Sequence, residues 1–179
     1  MTDPTAIAMI RHCYKRAFGA DIRPAYDTYV GQSGLAALGY TRAGEAPLFL
    51  ERYLDQPIEA HASAVLNRQV ARGSIVEIGN FAACSAMAIL TLWGQAANDL
   101  GSGSEIAAAT LTAPLRRMFA RIGVPIIEIA SARPESLGND AAHWGSYYDQ
   151  DPRVCIGEIA AGQDAISAWL GRRNQEIAA

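Results

Sequence analysis

Ile75-Val76-Glu77-Ile78-Gly79-Asn80-Phe81-Ala82 places one carboxylate inside an otherwise apolar strand and follows it with glycine and asparagine. A run this apolar suits a strand covered on both faces, as in parallel or mixed sheets flanked by helices. Glu77 is thereby a candidate buried acid. A carboxylate buried without a partner costs several kcal/mol or takes a raised pKa, the state that general bases and amine-gripping carboxylates use. The alternative is an ion pair with Arg72 or Arg68 and no chemistry at all.

The elements around this strand are read from periodicity and punctuation. Thr5 to Ala17 reads as a helix that Gly19 ends. Tyr26 to Val30 and Leu35 to Ala43 read as a hairpin turned by Gly31-Gln32-Ser33-Gly34. Leu48 to Leu54 continues as strand or turn, and Pro57 stands in the first turn of a helix carrying Ile58, Ala62, Val65 and Leu66. After the strand Ile75 to Gly79 come a helix from about Ser85 to Leu100 and the loop Gly101-Ser102-Gly103-Ser104. A strand Ile106 to Leu111, a helix Pro114 to Ile122 closed by Gly123 and a third apolar strand Val124 to Ala130 follow. Arg133 to Ala142 reads as a polar surface loop, Val154 to Ile159 as a final edge strand and Ala165 to Ile177 as a last helix. Strand and helix alternating through the middle implies right-handed crossovers and mostly parallel neighbours. The expectation is one α/β (α+β) domain over residues 1–179.

Composition narrows the function classes. With 50% hydrophobic and 18% charged residues the chain is globular, and a net charge of −3 leaves no basic footprint for nucleic acid. Arg116, Arg117 and Arg121, and Arg172 with Arg173, read as solvated helix faces. Cys13, Cys84 and Cys155 are odd in number and unpaired in spacing, and His12, His61 and His143 lie far apart, so neither a disulfide framework nor a metal site is expected. No window reaches the roughly 18 apolar residues of a membrane span, and Met1 to Ile10 lacks a signal design. Phe81 to Trp93, the nearest approach to a span, reads as a buried core helix. The expected location is cytoplasmic.

The order of elements resembles the GCN5-related N-acetyltransferase (GNAT) fold, a three-layer sandwich with a mixed central sheet flanked by helices. Two closer likenesses rest on residues. The stretches Leu48-Phe49-Leu50-Glu51-Arg52-Tyr53-Leu54-Asp55-Gln56-Pro57-Ile58-Glu59, Val76-Glu77-Ile78-Gly79-Asn80 and Trp144-Gly145-Ser146-Tyr147-Tyr148 resemble those of the thermostable hemolysin family, from about Arg16 to Ile159. More distantly, Glu77-Ile78-Gly79-Asn80-Phe81 is similar to the Glu-Leu-Ser-Arg-Phe segment of acyl-homoserine-lactone synthases. Arg42 stands where those have a strand-end arginine, and Asp27 at one of their early acidic positions. Asn80 replaces an arginine, which puts their usual donor, S-adenosylmethionine, in question. The pyrophosphate loop of acetyl-CoA enzymes, Gln/Arg-x-x-Gly-x-Gly/Ala, has no counterpart in Asn80 to Ala86. A helix start there still offers backbone amides to phosphate.

These likenesses imply an N-acyltransferase that moves an acyl group from a carrier-protein or coenzyme A thioester to the amine of a small, amino-acid-like molecule. The thioester is a co-substrate, and no cofactor is bound permanently. Glu77, Asn80 and Tyr147 are the candidate catalytic residues: a base or anchor for the ammonium, an amide at the strand end, and a phenol for the leaving thiolate. Asn80 reads equally as a helix N-cap. Arg42, Glu51, Phe81, Trp144 and Tyr148 are the candidate substrate-binding residues, and Phe49, Met87 and Trp93 join Phe81 and Trp144 as candidates for setting acyl length. Cys84 invites a covalent reading but, with no histidine near it in sequence, reads as a small buried residue. Two alternatives stay open, a membrane-active hemolysin and a non-catalytic acyl- or ligand-binding module on the same fold.

Overall fold

The structure is a computed structural model, and it describes residues 3–23, 26–32, 34–100 and 103–178. Helix α1 (Pro4–Phe18) starts where the Asp3 carboxylate accepts the Thr5 N–H at 2.9 Å and stops at Gly19, whose φ of 68° lets its amide close the last turn. Strands β1 (Thr28–Gln32) and β2 (Ala36–Arg42) form the expected antiparallel hairpin. Ser33 of its turn, like Gly101 and Ser102 of the later loop, lies outside the described residues. Phe49–Tyr53 is a single 3₁₀ turn, followed by α2 (Ile58–Leu66), β3 (Ile75–Ala83) and α3 (Ala86–Leu100). Then come β4 (Ile106–Leu111), α4 (Ala113–Ile122), β5 (Ile127–Ser131), β6 (Arg153–Glu158) and α5 (Ile159–Ala178).

The six strands form one sheet in the order β1-β2-β3-β4-β6-β5. Side chains alternate across it, so Ile75 of β3 with Ile106 and Ala108 of β4 pack on Leu50 and α2. Val76, Ile78 and Ala107 face Leu92 and Ala96 of α3 instead. Helix α1 shares the α2 side, where Ile10 and Tyr14 meet Tyr29, Ala37, Ala82 and Tyr147. The result is the mixed three-layer sandwich expected from the order of elements.

The sheet differs from expectation in its pairing. Among the described residues only β3 and β4 run parallel, while every other pair is antiparallel. β6 lies between β4 and β5 and is not the edge. The burial of its residues explains this: Val154, Cys155 and Ile156 are buried on both faces, as an interior strand requires. β5 carries Glu128, ion-paired to Arg116 at 2.8 Å, and takes the edge, where a charge keeps contact with water. Val124 to Ile126 stay outside the strand. The stretch read as a polar loop winds into a 3₁₀ segment, Pro134–Trp144, broken at Gly138.

Strand β3 runs four residues beyond Gly79. Ala37 pairs with Ala82 and Gly39 with Gly79, so Asn80 and Phe81 together oppose Leu38, a β-bulge. Asn80 holds φ 53°, a left-handed conformation that asparagine tolerates better than most residues. It is therefore part of the strand and caps no helix. The cap of α3 is Ser85, whose Oγ accepts the Ala88 N–H at 3.2 Å. Phe81 to Trp93 is thus the end of β3 (Phe81 to Ala83) followed by the first part of α3 (Ala86 to Trp93).

Candidate active site

Glu77, opposite Ala108, is the last residue at which β3 pairs with β4. Beyond it β3 follows β2 to the pair Ala36–Ala83, whereas β4 stays on β6 to the pair Leu111–Arg153. Two parallel strands that part this way open a crevice at their C-terminal ends, the usual ligand position in such sheets. Here it is a cavity of about 360 Å³, walled in part by Phe81, Ala83, Thr110, Met118, Tyr14 and Tyr147. That lies within the range of small-molecule sites, roughly 300–1,000 Å³. The Thr110 hydroxyl oxygen is buried in this wall with no hydrogen-bond partner among the described residues.

Glu77 is 0% exposed, on the α2 side of the strand junction. Its Oε1 accepts the Tyr26 hydroxyl at 3.0 Å and the Leu50 N–H at 3.1 Å. Its Oε2 is buried without a hydrogen-bond partner among the described residues. Burial pushes the carboxyl up to about 7, against the Tyr26 hydroxyl and the neighbouring Phe49 and Leu50 amides, which favour the anion. Neither arginine pairs with it. Arg72 holds Glu51 at 2.6 Å and Glu59 at 2.8 Å, and Arg68 holds Glu105 at 3.2 Å and Glu158 at 3.1 Å.

Downstream of Glu77, the bulge turns β3 so that Phe81 enters the cavity wall while Ala82 faces α1. The Phe81 ring stacks on Trp93 at 5.6 Å, and Trp93 meets Phe119 edge-on at 5.2 Å. This aromatic row divides the cavity from an apolar void of about 30 Å³ lined by Trp93, Phe119 and Cys155.

The motif around Trp144 supplies one residue, Tyr147, to the cavity wall. Tyr147 is buried, its ring 5.1 Å from Trp144 and 6.1 Å from Tyr14, and its hydroxyl lies 3.5 Å from the Thr110 carbonyl oxygen. That distance is at the outer limit of a hydrogen bond, so the contact is a weak one. Burial holds its pKa well above the ordinary value, so it is a donor at neutral pH. Tyr148 is engaged elsewhere, its hydroxyl 2.7 Å from that of Tyr53. Trp144 touches Phe49 and Tyr148 and is a wall residue of the aromatic cluster.

Of the eight candidate residues, only Phe81 and Tyr147 line the cavity; Glu77, Asn80, Trp144 and Tyr148 lie behind its wall, and Arg42 and Glu51 are engaged elsewhere. Arg42 ends β2 opposite Val76, at the start of β3, and donates to the Ser104 hydroxyl at 2.9 Å. Glu51 accepts the guanidinium of Arg72 and the N–H groups of Leu48 and Ile58, so it ties the 3₁₀ turn to α2, and Arg72 draws its pKa down to about 2. Cys84, expected to be buried, is exposed just past the end of β3, its thiol 3.6 Å from the Gly34 carbonyl oxygen. Tyr26 and Thr110 had no signal in the sequence. The two glycines beneath Tyr26 are visible there, but not the register that pairs them.

Among the described residues no group of His, Cys, Asp or Glu is placed to hold a metal ion, and no helix is long and apolar enough to cross a membrane. Among solved structures the fold is similar to that of FeeM, an N-acyl amino acid synthase from uncultured soil microbes, with a TM-score of 0.60 at 12% identity over 89% of this chain and 88% of that one. It is also similar to the acyl-homoserine-lactone synthase LasI, with a TM-score of 0.59 at 13% identity over 90% and 86% of the two chains. MesI, a CoA-dependent acyl-homoserine lactone synthase, gives 0.56 at 15% identity over 92% and 87%. No curated protein sequence matches the chain. The profile of the thermostable hemolysins matches residues 2–163, and the chain belongs to the thermostable hemolysin family.

Proposed function

We propose that the protein is a cytoplasmic N-acyltransferase, moving an acyl group from a thioester to the amine of a small, amino-acid-like molecule. The observation that carries this reading is the place of Glu77: a buried carboxyl, its pKa raised to about 7, at the point where β3 and β4 part, on the strand that carries Phe81 into the wall of a cavity shared with the Tyr147 phenol. The acceptor arrives as an ammonium and gives one proton to Glu77. The neutral nitrogen attacks the thioester carbonyl, and the tetrahedral intermediate collapses with cleavage of the C–S bond. The second N–H proton leaves with the thiolate. Tyr147, with a pKa above that of a thiol, serves the sulfur by hydrogen bonding and does not need to surrender its proton. The bulge at Asn80 sets the wall against which the carbonyl lies, Phe81 lines the acyl group, and Trp144 backs Tyr147 from behind. Arg42 and Glu51 are not part of this site.

Either thioester, coenzyme A or acyl carrier protein, satisfies the chemistry. The stretch Asn80 to Ala86 has no glycine pair and is taken up by strand and cap, which favours a carrier protein delivering a pantetheine arm. In this reading the lysis in the family name comes from an amphiphilic N-acyl product. The test is mass spectrometry of the protein incubated with acyl-carrier-protein and acyl-CoA thioesters and a pool of amino acids and amines. A new N-acyl product is expected from one donor. No product from any pair, with purified protein alone releasing dye from liposomes, would replace the reading by direct membrane action.

A further inference from the structure

Gly39 and Gly79 are register partners on β2 and β3, and together they leave a recess in the sheet. Tyr26 fills it. A Cβ at Gly39 would stand 2.8 Å from the Tyr26 and Tyr29 rings, and one at Gly79 would run into the Tyr26 hydroxyl. The ring is held from behind as well: the Tyr26 N–H donates to the Tyr29 hydroxyl at 3.2 Å, and the two rings meet edge-on at 6.1 Å. At the bottom of the recess its hydroxyl reaches Glu77 Oε1. Tyr26 also packs against the aromatic cluster that contains Tyr14 and Tyr147, two residues of the cavity wall. The only side chain that hydrogen-bonds Glu77 among the described residues thus links it to that cluster.

Resting on the acyltransfer reading, we infer that Tyr26 is the proton relay between the acceptor amine and Glu77. Glu77 is fully buried, and the Tyr26 hydroxyl is the one side-chain group bonded to it among the described residues, so the proton travels from the ammonium through the phenol. In the relay, an ammonium N–H passes its proton to Tyr26 Oη while the Tyr26 O–H passes its own to Glu77 Oε1. Tyr26 ends as it began, Glu77 becomes a carboxylic acid and the amine becomes neutral. No free phenolate forms, in keeping with a phenol that burial and the neighbouring carboxylate hold strongly protonated. The paired glycines then have a reason beyond packing, since any side chain at either position displaces the relay.

Tyr26→Phe keeps the ring in the recess and removes the hydroxyl, and it is tested with the donor and amine that give product in the screen above. Removing a hydrogen bond that favours the Glu77 anion moves the acid limb of the pH–rate profile upward in any case. The discriminating quantity is the plateau above that limb. A relay predicts a plateau turnover lowered by about 10²-fold, the usual size of a lost proton-transfer group, with KM for the thioester unchanged. It also predicts that Tyr26→Phe/Glu77→Gln is no slower than Glu77→Gln alone. A Tyr26→Phe plateau equal to wild type, with Glu77→Gln inactive, would overturn the relay alone, whereas Glu77→Gln at wild-type turnover would overturn the reading on which it rests. Should Tyr26→Phe fail to fold, 3-fluorotyrosine at position 26 keeps ring and hydroxyl but makes the phenol more acidic. A changed plateau then supports the relay, and an unchanged one overturns it.

Discussion

A carboxyl with a folded pKa near 7 and an ordinary value of 4.5 keeps its proton in the native state across a window in which the unfolded chain has lost it. The native state therefore binds more protons there, and stability falls as pH rises from about 4.5 to about 7, by on the order of 3 kcal/mol. Glu77→Gln removes this slope, and urea unfolding at pH 5 and pH 8 will show a smaller difference than wild type. An identical difference would mean that Glu77 is not the buried titrating group. Gly145 makes a second prediction at this scale. Its φ of 53° with ψ of −130° belongs to glycine, and a Cβ would run into the Phe18 carbonyl oxygen, which also accepts the Ser146 N–H at 2.9 Å. Gly145→Ala is expected to cost on the order of 3 kcal/mol by thermal unfolding, because it pushes the Trp144–Tyr148 segment off α1. The glycine inside the Trp144-Gly145-Ser146-Tyr147-Tyr148 motif is explained by that contact.

The 3₁₀ turn Phe49–Tyr53 has no sheet of its own to hold it, so side chains do that work. Arg72 bridges Glu51 of the turn and Glu59 of α2, and the turn in exchange presents the Leu50 amide to Glu77. The sign here is opposite to that of Glu77: Arg72 lowers the Glu51 pKa to about 2, so this stabilisation is present above about 4.5 and lost as pH falls toward 2. Arg72→Met is expected to cost roughly 1–2 kcal/mol at pH 7, discounted for the partial exposure of the pair, and less at pH 3. Equal losses at both pH values by denaturant unfolding would contradict this assignment. Most elements were legible in the sequence because their faces are strongly periodic, as in α4, and their ends are marked by Gly19 and Gly123. The extension of β3 past Gly79 was not, since Asn80 reads equally as a cap. Its left-handed φ is fixed by pairing with β2, a contact remote in sequence.

At the scale of the molecule, the site exists because of strand order. Glu77, Phe81 and Tyr147 are recognisable as residue types in the chain, but the cavity that Phe81 and Tyr147 line depends on β6 inserting beside β4 while β3 turns away with β2. Nothing local encodes that, and the same holds for Tyr26, which reaches Glu77 from 51 residues away. The row Phe81–Trp93–Phe119 closes the inner end of the cavity and leaves a void behind it. Under the acyltransfer reading, Trp93→Leu opens that partition and moves the preferred acyl chain toward greater length, which competition between thioesters of different length will reveal as a changed product ratio. The measurement that bears most directly on the whole account is the yield of N-acyl product from wild type and Glu77→Gln side by side at pH 8, read by mass spectrometry on protein of verified fold. Product is expected from wild type, with a loss of roughly 10²-fold or more in the variant. Equal yields would contradict that expectation.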